Sequence, residues 1–322
     1  MSFIDKRSLL DTIVSMESKT SNKKPHIFRA SVVFILLVLL TLLSVYMIRN
    51  SDGSPRQVKK MRTLITDTQY IIHAGGKLKG KDGKTYTYTN SKESLKRMYK
   101  KGNRIVELDF AFTTDGECVC LHSWKDTKYT NDSDHTDSDK EGIPLSLADF
   151  TSVKINGYFT PMTLSDVIEF MESHKDVILI TDIKETHEPI AGTDEEVDVS
   201  ALCRRISDRA PKLKNRCIIQ IYDESEYDTV KELGFSNMIY TLYQLTDEQR
   251  LDTAAHQQFA SEHPLVAFTF PKGLVKNKTF ISGMQKTKVP LLTHTIDSKK
   301  KKLKLLEAGT VSGVYTNDTE NP

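Results

Sequence analysis

The chain has 322 residues and a formal net charge of +2, from 45 basic and 43 acidic side chains. This length allows one large domain with a substantial core. The near balance of charge gives no global field that would attract nucleic acid, so no such partner is expected. The four cysteines show no metal-ligand spacing, which indicates buried thiols rather than a zinc site.

The first 68 residues are predicted to be accessory to the domain that follows. Residues 1–29 form a polar tail, and residues 30–48 are a nearly unbroken apolar run, ASVVFILLVLLTLLSVYMI. A helix of this length, rising about 1.5 Å per residue, spans a bilayer core of about 30 Å. A cleaved signal peptide is the alternative, but the long polar tail favours an uncleaved membrane anchor. Residues 49–68 are interpreted as a polar linker.

The orientation of this predicted anchor is weakly determined. Basic residues flank the apolar run on both sides, so the positive-inside rule nearly cancels. A short tail before a long domain is compatible with an N-inside, C-outside protein. We therefore expect a single-pass protein of the cell membrane with its large domain outside the cytoplasm.

From residue 69 onward, short apolar runs alternate with helical patterns. The apolar runs are YIIHAGG, RIVELDFAF, VILITDI, CIIQIYD, MIYTLY, LVAFTF, PLLTHTI and VSGVYTND. Strands that alternate with helices imply parallel βα units, and about eight of them predict a closed (β/α)8 barrel of the TIM type over residues 69–322. An extra hairpin strand is the one irregularity in this α/β pattern.

The hairpin is predicted over Arg104–Trp124, with Asp115-Gly116 as a two-residue turn between two apolar runs. Side chains alternate along a strand, so this register gathers two carboxylates, two thiols and an imidazole on one face: Glu107, Asp109, Cys118, Cys120 and His122. Burial of unpaired carboxylates would cost several kcal/mol, which a metal or a cationic group would offset. The alternative is a surface hairpin whose polar face lies in water.

Catalytic groups of such barrels lie at the carboxyl ends of the strands. The polar residues expected there are His73, Glu107, Asp109, His122, Asp182, Lys184, Gln220 and His294. Three carboxylates form a hard oxygen-ligand site suited to Ca²⁺ or Mg²⁺. Two histidines opposite a cation suit acid and base work on a phosphoryl group. We interpret His294 as structural, because a lone histidine on an apolar strand usually is.

Several of these residues lie in motifs that resemble the glycerophosphodiester phosphodiesterases of the phosphatidylinositol phospholipase C-like superfamily. The motifs are HAGG at 73–76, TNS at 89–91, ELD at 107–109, TDG at 114–116, the histidine at 122 and DIK at 182–184. The resemblance implies a Ca²⁺- or Mg²⁺-dependent phosphodiesterase. By position it implies His73 and His122 as the acid/base pair, and Glu107, Asp109 and Asp182 as metal ligands. The implied substrate contacts are Lys184, Gly75, Gly76, Asn90 and Gln220.

The chain departs from the family pattern at three positions. Ala74 stands where the family usually has arginine, Ser123 where it usually has aspartate, and Asp182 where it usually has glutamate. Loss of the arginine removes a bidentate phosphate donor. The backbone amides of Gly75 and Gly76 are the expected partial replacement.

The expected function is a membrane-anchored phosphodiesterase that hydrolyses glycerophosphodiester-type bonds in lipid head groups or glycerophosphate polymers. The anchor favours such substrates because it holds the site near the bilayer. One alternative is a non-catalytic barrel that binds a glycerophosphate polymer or a partner in envelope assembly. A further alternative, a lyase or phospholipase D-like relative that acts on intact lipid, would share the same site.

A lysine run, Lys299–Lys302, follows the strand PLLTHTI. We interpret it as the solvated start of a helix in a lysine-rich chain, although lysines in a first turn oppose the helix macrodipole. The alternative is a docking patch for a polyanion, either an anionic membrane surface or a glycerophosphate polymer.

Overall fold

The computed structural model describes Thr41 and residues 55–125, 129–130, 144–183 and 196–320. The predicted tail, and the predicted membrane span apart from Thr41, lie outside the described residues. Among the residues that are described, no helix is both long and apolar enough to cross a membrane. The compact unit that contains the barrel runs from Asp52 to Pro322.

The described part of this unit alternates strands and helices along the chain. Its strands are β1 Tyr70–Ile72, β2 Leu78–Lys79, β3 Thr85–Tyr86, β4 Ile105–Phe112, β5 Cys118–Cys120, β6 Tyr129–Thr130, β7 Lys154–Ile155, β8 Met162–Thr163, β9 Ile178–Ile183, β10 Cys217–Ile221, β11 Met238–Thr241, β12 Ala267–Pro271, β13 Leu291–His294 and β14 Gly313–Thr316. Its α-helices are α1 Pro55–Thr68, α2 Lys92–Lys100, α3 Leu147–Ser152, α4 Leu164–Ser173, α5 Val199–Arg209, α6 Glu226–Glu232, α7 Asp247–Leu251, α8 Thr253–Glu262, α9 Lys278–Gln285 and α10 Lys299–Glu307. Short 3₁₀ helices cover His73–Gly75, Pro211–Arg216 and Lys272–Lys276.

Eight parallel strands of the described chain form a closed barrel. β1 pairs with both β4 and β14, and the sheet between them runs through β9, β10, β11, β12 and β13. At the two closing seams Ile72 lies beside Val106 and Ile71 lies beside Tyr315. All eight residues of β4 are buried, as expected for a strand covered on both faces. The predicted (β/α)8 barrel with an extra hairpin is confirmed for these residues.

The hairpin of β4 and β5 has a longer turn than the sequence predicted. Thr113 donates its N–H to the Glu117 carbonyl over 2.9 Å, which leaves three residues, 114–116, in the loop. Gly116 has φ +76°, the left-handed conformation that ends a common three-residue hairpin loop. The predicted two-residue turn is therefore wrong, and Phe110 pairs with Cys120.

This one-residue shift moves both thiols to the other face of the hairpin. Cys118 and Cys120 pack with Phe110 and Phe112 in the core between the barrel and its helices. They therefore lie on the side of β4 away from Glu107 and Asp109, and the prediction that they share the carboxylate face is wrong. Burial raises the pKa of the Cys118 thiol to about 12, as expected for a packing residue.

Helix α1 closes the amino-terminal end of the barrel. Its buried residues Val58, Met61 and Ile65 recur at helical spacing, on one face. They join a cluster of inward-facing barrel residues that includes Ile71, Ile105, Ile178, Ile180, Ile218, Ile239, Val266, Leu292 and Tyr315. The predicted polar linker over residues 49–68 is therefore wrong from Pro55 onward, because this segment belongs to the folded unit.

Polar contacts hold α1 in the same place. The Gln57 side chain donates to the Asn215 carbonyl over 2.8 Å, and Arg62 Nε donates to the Leu265 carbonyl over 2.7 Å. Asn215 and Leu265 precede β10 and β12, so both acceptors lie at the amino ends of strands. Helix α1 does not cover the opposite end of the barrel, where the strands end, so that end can hold a functional site.

The lysine run at the start of α10 is not uniformly solvated. Lys299, Lys300 and Lys301 are exposed, but Lys302 is buried. Lys302 Nζ lies 3.7 Å from Asp318 Oδ2 and 5.3 Å from the centroid of the Tyr70 ring. The interpretation of the whole run as a solvated surface is therefore wrong at Lys302.

Candidate active site

The carboxyl ends of the strands surround a cavity of about 520 Å³. The cavity is lined by residues from most of the barrel strands or from the segments that follow them. Among them are His73, Asp182, Tyr222, Tyr243, Lys272, His294, Asp297 and Asn317. This is the end of the barrel at which catalytic groups of the fold lie. The predicted position of the site, at the carboxyl ends of the strands, agrees with this geometry.

Three buried carboxylates lie together at this end. Glu107 and Asp109 point to the same side of β4, and Asp182 of β9 lies directly beside Asp109 in the sheet. One oxygen from each of the three lies within 4.8 Å of the other two. Such a buried cluster is costly without a cation, and three hard oxygen ligands suit Ca²⁺ or Mg²⁺. The donor set therefore fits one divalent ion held by the three predicted ligands.

Each carboxylate is held by a neighbour. The Ala74 N–H donates to Glu107 Oε2 over 2.7 Å. Asn90 donates its side-chain amide to Asp109 Oδ2 over 2.8 Å, and its Oδ1 accepts from the Asp109 N–H over 3.1 Å. The Tyr222 hydroxyl donates to Asp182 Oδ1. Partners of this kind fix the direction in which ligand oxygens point.

Asn90 can hold Asp109 because it does not cap the following helix. The N-cap of α2 is Ser91, whose side chain accepts from the Ser94 N–H in a capping box. Asn90 itself has φ +43°, a left-handed conformation that asparagine tolerates better than most residues. Its predicted contact with substrate stays a prediction.

His73 directly follows β1 and is buried beside the carboxylates. Its Nδ1 lies 3.0 Å from Asn317 Oδ1, and its Nε2 lies 4.0 Å from Glu107 Oε2. His294 lies across the cavity, with its ring centroid 6.0 Å from that of His73 and 4.0 Å from that of Tyr243. His73 is therefore placed for proton transfer next to the candidate metal site. His294, interpreted from sequence as structural, is part of an aromatic cavity wall.

The turn after His73 requires its glycines. Gly75 and Gly76 have φ +74° and +92°, and Ala74 before them has φ +47°. A Cβ on Gly75 would lie 2.3 Å from Ser94 Oγ, and one on Gly76 would lie 2.6 Å from Thr319 Cγ2. The Gly76 N–H donates to the His73 carbonyl over 2.8 Å, so in this structure it does not replace the missing arginine as a phosphate donor. The contact predicted for Gly75 stays a prediction.

His122 lies just beyond β5, half-buried, and a tyrosine separates it from His73. The Tyr88 ring centroid lies 4.5 Å from that of His122 and 4.7 Å from that of His73, edge-on to both. Tyr88 has φ +57° and is 38 % exposed, at the cavity wall. The Tyr88 ring thus lies between the two histidines predicted as the acid/base pair, and the role of His122 stays a prediction.

The two remaining predicted substrate contacts differ in outcome. Gln220 is buried, and its amide oxygen accepts from Tyr315 over 3.1 Å and from Thr241 over 3.3 Å. It is not among the described residues that line the cavity, so its prediction as a substrate contact is not supported by this geometry. Lys184 lies outside the described residues. Lys272 lines the cavity instead, at the end of β12.

Sequence reasoning missed several residues that line the cavity, among them Tyr88, Tyr222, Asp297 and Asn317. Asp297 and Asn317 follow β13 and β14, so the rule that functional groups follow barrel strands points to both. Tyr222 follows β10 in the same way. Tyr88 carried no such signal, because it lies in a loop whose path the sequence does not predict.

Comparison with known proteins assigns the family. Residues 81–321 match the sequence model of the Glycerophosphoryl diester phosphodiesterase family. The chain belongs to this family. The membership confirms the predicted enzyme class, a phosphoric diester hydrolase. The matched range begins after His73 and the HAGG turn. It therefore leaves out Ala74, which is one of the three departures from the family pattern.

Individual relatives agree with this assignment. A glycerophosphodiester phosphodiesterase of Caldanaerobacter subterraneus is 26% identical over 235 residues, which cover 72% of this chain and 89% of that protein. A putative glycerophosphoryl diester phosphodiesterase structure from Silicibacter pomeroyi aligns with a TM-score of 0.57 at 13% identity, over 78% of this chain and 90% of that one. An Oleispira antarctica phosphodiesterase, solved with the product sn-glycerol-3-phosphate, aligns at 0.55 with 16% identity, over 78% and 94%. At these identities the two structural likenesses establish the fold alone.

Proposed function

We propose that the protein is a divalent-metal-dependent phosphodiesterase that hydrolyses glycerophosphodiester-type bonds with His73 and His122 as its acid/base pair. One observation carries the proposal. His73 Nε2 lies 4.0 Å from Glu107, within a cluster of three buried carboxylates at the carboxyl ends of the barrel strands. This places a proton-transfer group beside a site for a cation, which is the arrangement that phosphoryl chemistry needs.

The residues would hold a Ca²⁺ or Mg²⁺ ion through Glu107, Asp109 and Asp182. When bound, the ion supplies positive charge to the phosphate oxygens. Asn90 and Tyr222 keep two of the three carboxylates directed toward a common point. Lys272, on the cavity wall, offers a further positive charge in a site that lacks the usual arginine.

The reaction needs one proton acceptor and one proton donor. The attacking oxygen belongs to a substrate hydroxyl next to the phosphate or to a water molecule. One histidine takes its proton as the new P–O bond forms, and the other gives a proton to the leaving alkoxide as the old P–O bond breaks. When the neighbouring hydroxyl attacks, the first product is a cyclic phosphate.

The substrate class follows from the family and one relative. The Oleispira antarctica phosphodiesterase was solved with sn-glycerol-3-phosphate as its product. The corresponding substrate here is a glycerophosphodiester derived from a lipid head group or from a glycerophosphate polymer. The cavity of about 520 Å³ falls in the usual range for small-ligand sites.

The direct test uses the purified full-length chain on a panel of soluble glycerophosphodiesters, with a chelator and then with added Ca²⁺ or Mg²⁺. Turnover should vanish with the chelator and return with the metal. Asp182→Asn and Glu107→Gln should lose turnover, whereas the exposed Glu169→Gln is the matched control and should keep it. Full turnover in the chelator would contradict metal dependence.

A binding measurement separates catalysis from metal binding. Ca²⁺ or Mg²⁺ should raise the melting temperature of the wild type and of Glu169→Gln, because a ligand of the native state stabilises it. The rise should be lost in Asp182→Asn. A melting temperature that responds to metal, together with no turnover of any diester, would favour the alternative of a non-catalytic barrel that binds a glycerophosphate polymer or an envelope partner.

We also propose that residues 30–48 anchor the enzyme in the cell membrane, with the barrel outside the cytoplasm. The support is the length and apolar composition of this run. Full-length protein should stay in the membrane fraction after an alkaline wash and be digested by protease added to intact cells. Release by the wash would contradict the anchor, and protection of the barrel in intact cells would contradict the orientation.

A further inference from the structure

Asn317 joins His73 to a carboxylate on the neighbouring strand segment. Its Oδ1 lies 3.0 Å from His73 Nδ1, and its Nδ2 donates to Asp297 Oδ2 over 3.0 Å. Asp297 Oδ1 also accepts from the Asn317 N–H over 2.7 Å and from the Thr316 hydroxyl over 3.2 Å. Three donors from the end of β14 therefore converge on one carboxylate that follows β13.

This arrangement decides which way the Asn317 amide faces. An ionised carboxylate only accepts hydrogen bonds, so the Asn317 NH₂ group must face Asp297 and its oxygen must face His73. Burial would raise the pKa of Asp297, but hydrogen bonds from Asn317 and Thr316 outweigh it and lower that pKa. Asp297 is therefore ionised at neutral pH, and its carboxylate fixes the orientation of the Asn317 amide.

The orientation of the amide in turn decides the tautomer of His73. An oxygen beside Nδ1 requires Nδ1 to carry the hydrogen, which leaves a lone pair on Nε2. Nε2 is the atom that points toward Glu107 and the candidate metal site. A neutral imidazole in this state is ready to accept a proton there and cannot donate one.

We propose that Asp297 is a positioning residue that, through Asn317, holds His73 as the proton acceptor of the first step. The proposal rests on the proposed function and adds to it an assignment of roles. His73 Nε2 takes the proton of the attacking hydroxyl while the new P–O bond forms, and His122 gives its proton to the leaving oxygen. Asp297 lines the cavity, but in this role it acts through Asn317 and not on the reacting atoms.

The chain allows a test by exchange of the two groups. Asp297→Asn keeps the shape, but the backbone N–H of position 317 directs the new amide so that its NH₂ faces Asn317, which reverses the Asn317 amide. Asn317→Asp sets two carboxylates against each other. In the double variant, the amide introduced at position 297 can accept from the backbone N–H of position 317 and from Thr316. Its NH₂ can donate to the carboxylate introduced at position 317, and that carboxylate can accept from His73. Each single variant should lower kcat about 10- to 100-fold with KM within about twofold, and the double variant should recover most of kcat.

A spectroscopic measurement reports on the tautomer without turnover. In the full-length wild type labelled with ¹⁵N-histidine, the His73 signals are identified by their loss in His73→Ala. They should show the hydrogen on Nδ1 at neutral pH, and Asp297→Asn should shift it to Nε2, because the reversed Asn317 amide would then donate to Nδ1. A hydrogen on Nε2 in the wild type, full kcat in Asp297→Asn, or a folded double variant no better than the single variants would each overturn the proposal.

These outcomes separate the proposal from the function on which it rests. If His73→Ala keeps full turnover, the proposed function fails. The tautomer measurement on the wild type still reports whether Asn317 holds the hydrogen on Nδ1 of His73. If His73→Ala is inactive and Asp297→Asn is fully active, only the positioning role fails. Where a variant does not fold, the tautomer of the wild type decides.

Discussion

The ring of Tyr88 lies edge-on against the imidazole of His122, with the two centroids 4.5 Å apart. The same ring makes an edge contact with His73 on its other side. Tyr88 holds a left-handed backbone conformation, at φ +57°, that costs most side chains about 1–2 kcal/mol. Strained residues of this kind cluster at functional sites, and here the strained residue spaces the two candidate acid/base groups.

Removal of the Tyr88 ring should therefore reduce catalysis. His122 lies beyond the end of β5, so it depends on neighbours such as Tyr88 for its orientation. Tyr88→Ala should lower kcat roughly 10- to 100-fold on a small glycerophosphodiester, while Tyr88→Phe, which keeps the ring, should stay within about threefold of the wild type. Steady-state kinetics on both variants provides the measurement. An alanine variant as fast as the wild type would show that the ring does not position His122.

The two histidines should be separately essential. His73→Ala and His122→Ala should each lower kcat by about 10²–10⁴-fold, because each removes one proton-transfer group. Circular dichroism should remain that of the wild type. His263→Ala is the matched control, since His263 stacks on Phe259 away from the cavity and should leave turnover intact. Near wild-type turnover in either site variant would remove that histidine from the mechanism.

Adjacent lysines of α10 should differ in their effect on stability. Lys302 is 1 % exposed and contacts Asp318 and the Tyr70 ring, whereas Lys301 is exposed. Lys302→Ala should lower the free energy of unfolding by about 2–5 kcal/mol, and Lys301→Ala should change it by less than about 0.5 kcal/mol. Urea denaturation measures both. Equal effects of the two substitutions would contradict the burial of Lys302.

Helix α1 should contribute to the stability of the barrel. Met61 is 2 % exposed and packs among inward-facing strand residues, while the adjacent Lys60 is exposed. Met61→Ala should lower the free energy of unfolding by about 2–5 kcal/mol, and Lys60→Ala should have little effect. A Met61→Ala protein as stable as the wild type would mean that α1 is dispensable, as the linker interpretation supposed.

The sequence predicted the barrel and its carboxylates because both depend on local patterns. Side-chain alternation along β4 puts Glu107 and Asp109 on one face, whatever the hairpin register is. The register itself was predicted wrongly, because Asp115-Gly116 fits both a two-residue loop and the end of a three-residue loop. The side chains of Cys118 and Cys120, which depend on that register, were therefore assigned to the wrong face.

Other features were missed because they depend on contacts distant in sequence. The three buried apolar residues of α1 lie among many polar and charged ones. The segment therefore resembles a linker unless the barrel end that it covers is known. Nothing local distinguishes Lys302 from Lys301. The role of Asn317 depends on His73, 244 positions away, and on Asp297, which follows the strand next to β14 in the sheet.

The contact between His73 and Asn317 also has a consequence for biosynthesis. His73 follows the first barrel strand and Asn317 follows the last, so nearly the whole barrel is translated between the two. The ribosome makes the proposed base early and its orienting partner late, and β1 gains its β14 neighbour only when that last strand is available. A nascent or truncated chain without β14 can bind neither the partner strand nor the partner side chain, so we expect hydrolysis to begin only with barrel closure.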